Sequence, residues 1–146
     1  MTKFQYNMQN ILDIKYRLED QAKIAYVKAK QRLDEENKKI DRLTQERIQY
    51  EIYLRKMMHD KLDILEINFT TKAIDLKKEE IKRQALHVIA AERKVEAARV
   101  KLNEVMIERK THEKLREQAF EEYQVELAYE EKKEIDELVS YRFNNK

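Results

Sequence analysis

Three histidines, one serine and 29 carboxylates are the side chains of this 146-residue sequence suited to metal binding, nucleophilic attack or proton transfer. The histidines are His59, His87 and His112, and no two lie three or four residues apart. One helix face therefore cannot present a two-histidine metal motif, and no zinc site is expected. Ser140 is the single serine, there is no cysteine, and no serine–histidine–acid arrangement is recognisable. With no glycine, a phosphate-cradling loop cannot be written. The acids fall instead into pairs with bases one helical turn further on: Glu19–Lys23, Glu35–Lys39, Glu51–Arg55 and Glu79–Arg83. Such pairs support a helix by about 0.2–0.5 kcal/mol each. General acid–base chemistry needs a cleft that shifts a carboxyl pKa, and this sequence offers none. No catalytic residue, metal or cofactor is expected, and the chain does not read as an enzyme.

The tyrosines suggest contact chemistry instead. There are eight, at 6, 16, 26, 50, 53, 123, 129 and 141, beside four phenylalanines. An amphipathic ring on a helix surface suits a protein interface, or lies flat over its neighbours. Tyr16 and Tyr53 fall off the apolar seam described below.

Helices must carry these residues. Glycine, proline, cysteine and tryptophan are all absent, 41% of residues are charged and 42% hydrophobic. Average usage would give about 7% glycine and 5% proline, and these residues punctuate turns and break helices. Mean hydropathy is −0.90, too polar for a thick core but suited to a narrow helix–helix seam. Regular apolar spacing argues against disorder. Net charge is +2 with the signs interspersed and a pI of about 8.6, which does not suggest nucleic-acid binding. No apolar run approaches the ~18 residues of a membrane span, and residues 1–7 do not resemble a signal peptide. Zero cysteines fit a cytosolic protein.

In the first half a heptad seam runs through Phe4, Met8, Ile11, Lys15, Leu18 and Ala22. After one stutter it passes through Tyr26, Ala29, Leu33, Glu36, Ile40, Leu43, Arg47, Tyr50, Leu54, Met57, Lys61 and Ile64. In the second half Ile74, Ile81, Val88, Val95 and Leu102 recur every seven residues, with Ala91, Ala98 and Val105 beside them. The pattern continues through Arg109, His112, Arg116, Ala119 and Tyr123, and more loosely through Leu127, Ile135 and Leu138. His112 reads as a polar position that sets register.

Asn68-Phe69-Thr70-Thr71 are middling helix formers, and Asn and Thr compete for backbone bonds. Asn37 and Asn103 are rival breaks, but residue 68 divides the chain nearly equally. The fold expected is all-α: two long helices in an antiparallel coiled-coil hairpin, as a single domain over 1–146. The first helix is placed at about 3–67, the turn at 68–71, the second helix at 72–139 and a tail, disordered until bound, at 140–146. Tyr50 would then face Ala90 and Ala91, Leu43 would face Ala97 and Ala98, Leu18 would face Tyr123, and Leu33 would face Met106. The alternative is one continuous helix of about 220 Å that pairs with a second copy.

The ends carry a resemblance. Phe4-Gln5-Tyr6, Ile11-Leu12-Asp13-Ile14-Lys15 and Glu19-Asp20-Gln21-Ala22, then Glu113-Lys114-Leu115-Arg116-Glu117-Gln118-Ala119-Phe120, then Glu131 to Glu137 with Tyr141-Arg142-Phe143, together resemble the flagellar export protein FliJ family. The likeness covers nearly the whole chain and rests on the order and spacing of the motifs. It implies a soluble coiled-coil stalk of the type III export apparatus, cytoplasmic and peripheral at the flagellar base. Implied partners are the hexameric export ATPase, the cytoplasmic part of the membrane export gate, and chaperones of late substrates. Membrane association would be through those partners only. By the stalk analogy the paired chain ends enter the ring, with Lys15, Arg17, Glu19, Lys23, Lys132, Lys133 and Asp136 as contacts. The middle, at Tyr50, Tyr53 and Leu54, resembles the region used toward the gate. Two other readings stand beside this one: the equivalent stalk of a virulence secretion system, and a structural homodimeric coiled coil.

Overall fold

The structure is a computed structural model that describes residues 3–60 and 63–145. It is an antiparallel coiled-coil hairpin of two α-helices, α1 over Gln9–Asp60 and α2 over Ile64–Asn144, with no strand among the described residues. The contacts cluster into two units, Met1–Gln21 with Asn103–Lys146 and Ala22–Leu102. Each unit pairs part of α1 with part of α2. In the second, Glu36 meets Gln84, Glu46 meets Lys77 and Tyr53 meets Glu66. In the first, Gln9 meets Arg116 and Lys15 meets Glu108. Numbers rise on one helix as they fall on the other, which is the mark of antiparallel pairing.

The seam is more regular than expected at its start and more polar. Leu12, Lys15, Glu19 and Ala22 point toward α2, and Leu12 is 2% exposed. Met8, Ile11 and Leu18, placed on the seam by apolarity, are exposed. From Leu12 to Arg47 the inward positions alternate by threes and fours, and the stutter expected between Leu18 and Tyr26 is absent. The physical reason lies across the seam. Arg109 donates from Nε and Nη2 to the two carboxylate oxygens of Glu19 at 2.6 and 3.2 Å. A buried carboxylate needs hydrogen-bonding partners, and the fork makes Glu19 a better occupant than Leu18. In the second half the heptad is found as read, with Ile74, Ala91 and Val105 buried.

The second unit is locked the same way. Glu36, 3% exposed, accepts from the Gln84 amide at 2.5 Å on Oε2, while Gln84 also reaches the Glu36 carbonyl at 3.0 Å. Arg32 lies 2.9 Å from the other Glu36 oxygen.

Three boundaries differ from the sequence reading. Residues 68–71 lie inside α2, with Thr70 buried and the Thr71 hydroxyl bonded back to the Ile67 carbonyl at 2.8 Å. The second helix begins earlier because Asp63 caps it. Its Oδ1 accepts from the Leu65 and Glu66 amides at 3.1 and 3.3 Å, satisfying two donors that a helix start leaves open. At the other ends, residues 3–8 are not helical, whereas Ser140–Asn144 extend α2 in place of a disordered tail. Lys61 and Lys146 lie outside the described residues.

The expected facing pairs are displaced accordingly. Glu46 meets Lys77, so Tyr50 does not face Ala90, and Tyr123 meets Phe4 in place of Leu18. The helices are unequal, at 52 and 81 residues.

Replacing Leu12 by Ala removes the most enclosed side chain of the seam and is expected to cost about 2–5 kcal/mol. Leu65→Ala, at a residue 83% exposed, should change stability by less than about 0.5 kcal/mol. Urea unfolding followed by circular dichroism measures both. Equal losses at the two sites would remove Leu12 from the core.

Candidate protein-binding surfaces

Four places concentrate contact chemistry. The first is the ion-pair network of the first unit. Arg109 bridges Glu19 and Glu113, with Glu113 at 3.0 Å from Nη1. The Tyr16 hydroxyl donates to the other side of Glu113. That bond to a carboxylate raises the Tyr16 pKa above its ordinary value, and it lowers that of Glu113, which Arg109 lowers further. Tyr16 is therefore a fixed polar contact on the outside of the seam.

The second is the end of α2. Beyond Arg116, whose Nε donates to the Gln9 side chain at 2.9 Å, α2 continues to Asn144 with no part of α1 alongside. Val125, Tyr129, Ile135, Leu138, Val139, Tyr141 and Phe143 are all exposed there. Val125, Tyr129, Val139 and Phe143 share one face by helical spacing. Residues 117–145 carry nine acidic side chains against three basic ones. An uncovered helix with large apolar side chains marks an interaction surface.

The third is the N-terminal strap. Lys3–Tyr6 lies outside any helix and residues 7–8 form a turn, closed by Gln9 N–H to the Tyr6 carbonyl at 3.1 Å. Exposure alternates along the strap, with Phe4 and Tyr6 half-buried between exposed Lys3, Gln5 and Asn7. Phe4 packs edge-on against Phe120 with ring centroids 5.0 Å apart, and 5.3 Å from Tyr123. The Arg116 guanidinium stands over the Phe4 ring at 5.7 Å. Ring pairs of this kind contribute about 0.5–1.5 kcal/mol beyond their burial.

The fourth is a shallow open groove lined by Glu46, Gln49, Tyr50 and Tyr53. The Tyr53 hydroxyl donates to Glu66 at the start of α2, and this raises its pKa. Lys77 closes onto Glu46 at 2.5 Å. Tyr50, Tyr53 and Leu54 therefore form one patch, with the two rings exposed and Leu54 half-buried.

The residues proposed from sequence for the ATPase ring do not form one patch. Lys15 is paired with Glu108 at 3.0 Å, and Glu19 is buried beneath Arg109. Arg17 is exposed, and Lys23 is exposed in the other unit. Lys132, Lys133 and Asp136 are exposed on the protruding part of α2. Lys132 lies 24 residues past Glu108 along α2, about 36 Å at ~1.5 Å per residue. The sequence reading missed the Phe4 clasp, although Arg116, Phe120 and Tyr123 at helical spacing pointed to one face. It also missed the acid excess near the C-terminus, which a windowed charge count shows. No cluster of metal-ligating side chains occurs, and no helix is long and apolar enough to cross a membrane, among the described residues.

The carboxylates give the seam an acid limit. Glu36 is lowered below its ordinary value of 4.5, first by the Gln84 amide and then by Lys39 and Arg32. Glu113 is lowered by Tyr16 and Arg109. A depressed pKa stabilises the fold above the ordinary value and withdraws that stability as pH falls through the folded one. Tm is therefore expected to hold down to about pH 4.5 and to fall below it. Glu36→Gln should flatten part of that fall in melts followed by circular dichroism. An unchanged acid profile would detach Glu36 from it.

No curated protein matches the chain. Among solved structures, a protein described as a YscO homolog, CT670 of Chlamydia trachomatis, shares the fold with a TM-score of 0.71 at 24% identity, covering 93% of each chain. The family described as flagellar FliJ protein matches residues 4–146. That match takes in the strap, both helices and the protruding end of α2, and the chain belongs to the flagellar FliJ protein family.

Proposed function

We propose that this protein is a non-enzymatic stalk of the flagellar type III export apparatus, which works at the cytoplasmic face of the flagellar base. The protruding end of α2 docks in the central opening of the hexameric export ATPase. The observation that carries this reading is that end itself. It is an uncovered helix with a row of exposed apolar side chains and a strong acid excess, on a hairpin of this family. Apolar side chains provide the affinity of such a docking, and charge steers and orients it. Lys132, Lys133 and Asp136 lie in the docking segment. Glu19 and Lys15 serve the hairpin's own seam and act on docking only by holding α1 against α2. The groove at Tyr50, Tyr53 and Leu54 takes the cytoplasmic part of the export gate. Chaperones of late substrates are further partners on this reading.

A second reading is the same role in a virulence secretion system, which the fold shared with the YscO homolog favours. The genes that neighbour this one separate the two readings.

Three measurements test the proposal. ATP hydrolysis by the cognate flagellar export ATPase is expected to rise on adding the purified chain, together with ring formation. No effect on a demonstrably competent ATPase would turn the reading toward a structural tether, for which light scattering should then show a dimer. Reversing charge at Lys132 and Lys133 to Glu should weaken ring binding, and unaltered stimulation would remove both from the site. Tyr53→Ala should weaken binding to the gate at constant helix content, and retained affinity would sink that assignment.

A further inference from the structure

The strap covers a part of α2 that the docking proposal needs. Phe4 and Tyr6 lie over the face that carries Ala119 and Tyr123, and Lys3–Met8 share a groove with Ala119, Glu122, Tyr123 and Glu126. This face leads into the uncovered part of α2. Leu127, half-buried, is one turn beyond Tyr123, and exposed Leu138 and Tyr141 continue the same face at helical spacing, on the side of α2 opposite Val125 and Tyr129. A partner that grips α2 along its protruding end meets the strap at the inner edge of the gripped surface.

The way the strap is held makes it removable. Its backbone bonds are local, from Gln9 to Tyr6 and from Ile11 and Leu12 to Met8, and none reaches α2 among the described residues. Attachment to α2 runs through side chains: the Phe4 ring on Phe120 and Tyr123, with Arg116 above it. Segments held by few side-chain contacts and no shared backbone ladder open at the low end of local stability. Phe120 remains partly exposed under Phe4, so the clasp is incomplete on its outer side. Arg116 is shared between Phe4 and Gln9, the first residue of α1.

We infer that Lys3–Met8 is a latch: in the free protein it shields the Ala119–Tyr123 face of α2, and docking of a partner on the protruding helix displaces it. The inference rests on the stalk reading, because the partner is the one that takes the end of α2. A ligand gains apparent affinity when the competent state is already populated, so breaking the clasp should tighten docking. One ring cluster of this size corresponds to about a fivefold change in Kd.

The test uses the full chain and the purified export ATPase. Phe4→Ala lies outside both helices, and circular dichroism checks that helix content is kept. Its Kd is expected to fall about fivefold below that of the natural chain. A paired variant, Phe4→Cys with Phe120→Cys, is joined by a short bis-maleimide cross-linker, which spans the space of the two rings and holds the latch closed. The cross-linked form should bind more weakly than the same protein capped with a monofunctional maleimide. Equal or weaker binding by Phe4→Ala, or equal binding by the cross-linked and capped forms, would overturn the latch while leaving the stalk reading intact. No binding by the natural chain would overturn the stalk reading and the latch with it.

Discussion

The structure depends on the need to pair every carboxylate that the seam buries. A two-helix coiled coil has too little apolar surface to choose its own alignment, since most slips by whole heptads bury similar side chains. Glu19 under Arg109, and Glu36 against Gln84, remove that freedom. A slip of one heptad would leave a carboxylate in the seam without its donor, at a cost of several kcal/mol. Once these two rungs are set, the alignment of α1 and α2 in each unit follows. So does the position at which the chain must reverse.

The helical character, the hairpin and the second-half heptad were legible because each is written many times over. Composition excludes glycine and proline throughout, and Ile74 to Leu102 repeats the seven-residue spacing without a fault. The reversal was not legible from the same signals. Asn68 to Thr71 have weak helix propensity, but propensity differences are tenths of a kcal/mol and packing overrides them; Thr70 sits buried in the seam. The informative signal was shorter. Asp63, with Glu66 three residues on, is a helix-start pattern, and Asp63 does cap α2. Tyr123 meets Phe4, where symmetry of the arms would give it Leu18. Those two partners are fourteen residues apart, which is two heptads. Periodicity is blind to such an error, and only the pairing of charges corrects it.

The candidate surfaces were legible in part for a related reason. Tyr50, Tyr53 and Leu54 are close in sequence on one helix, so their patch needed no knowledge of register. The set of residues expected to contact the ATPase ring drew on both ends of the chain, and its coherence required the alignment that the sequence hid. A charged residue also reads the same in sequence whether it serves a partner or the protein itself. Glu19 and Lys15 are spent on Arg109 and Glu108, and the difference shows only when the facing helix is placed. The acid excess that follows residue 117 was diluted in a net charge of +2.

The ladder between the helices also dictates an order of assembly. Its innermost rung, Tyr53 to Glu66, joins residues 13 apart, and its outermost, Gln9 to Arg116, joins residues 107 apart. Closing the outer rung from an open chain carries a large entropic cost, but closing it after its neighbours adds little. The hairpin therefore zips from the capped reversal outward. The rungs nearest the termini close last and open first. The end of the molecule that carries the uncovered helix is the end that the folding process leaves most easily undone.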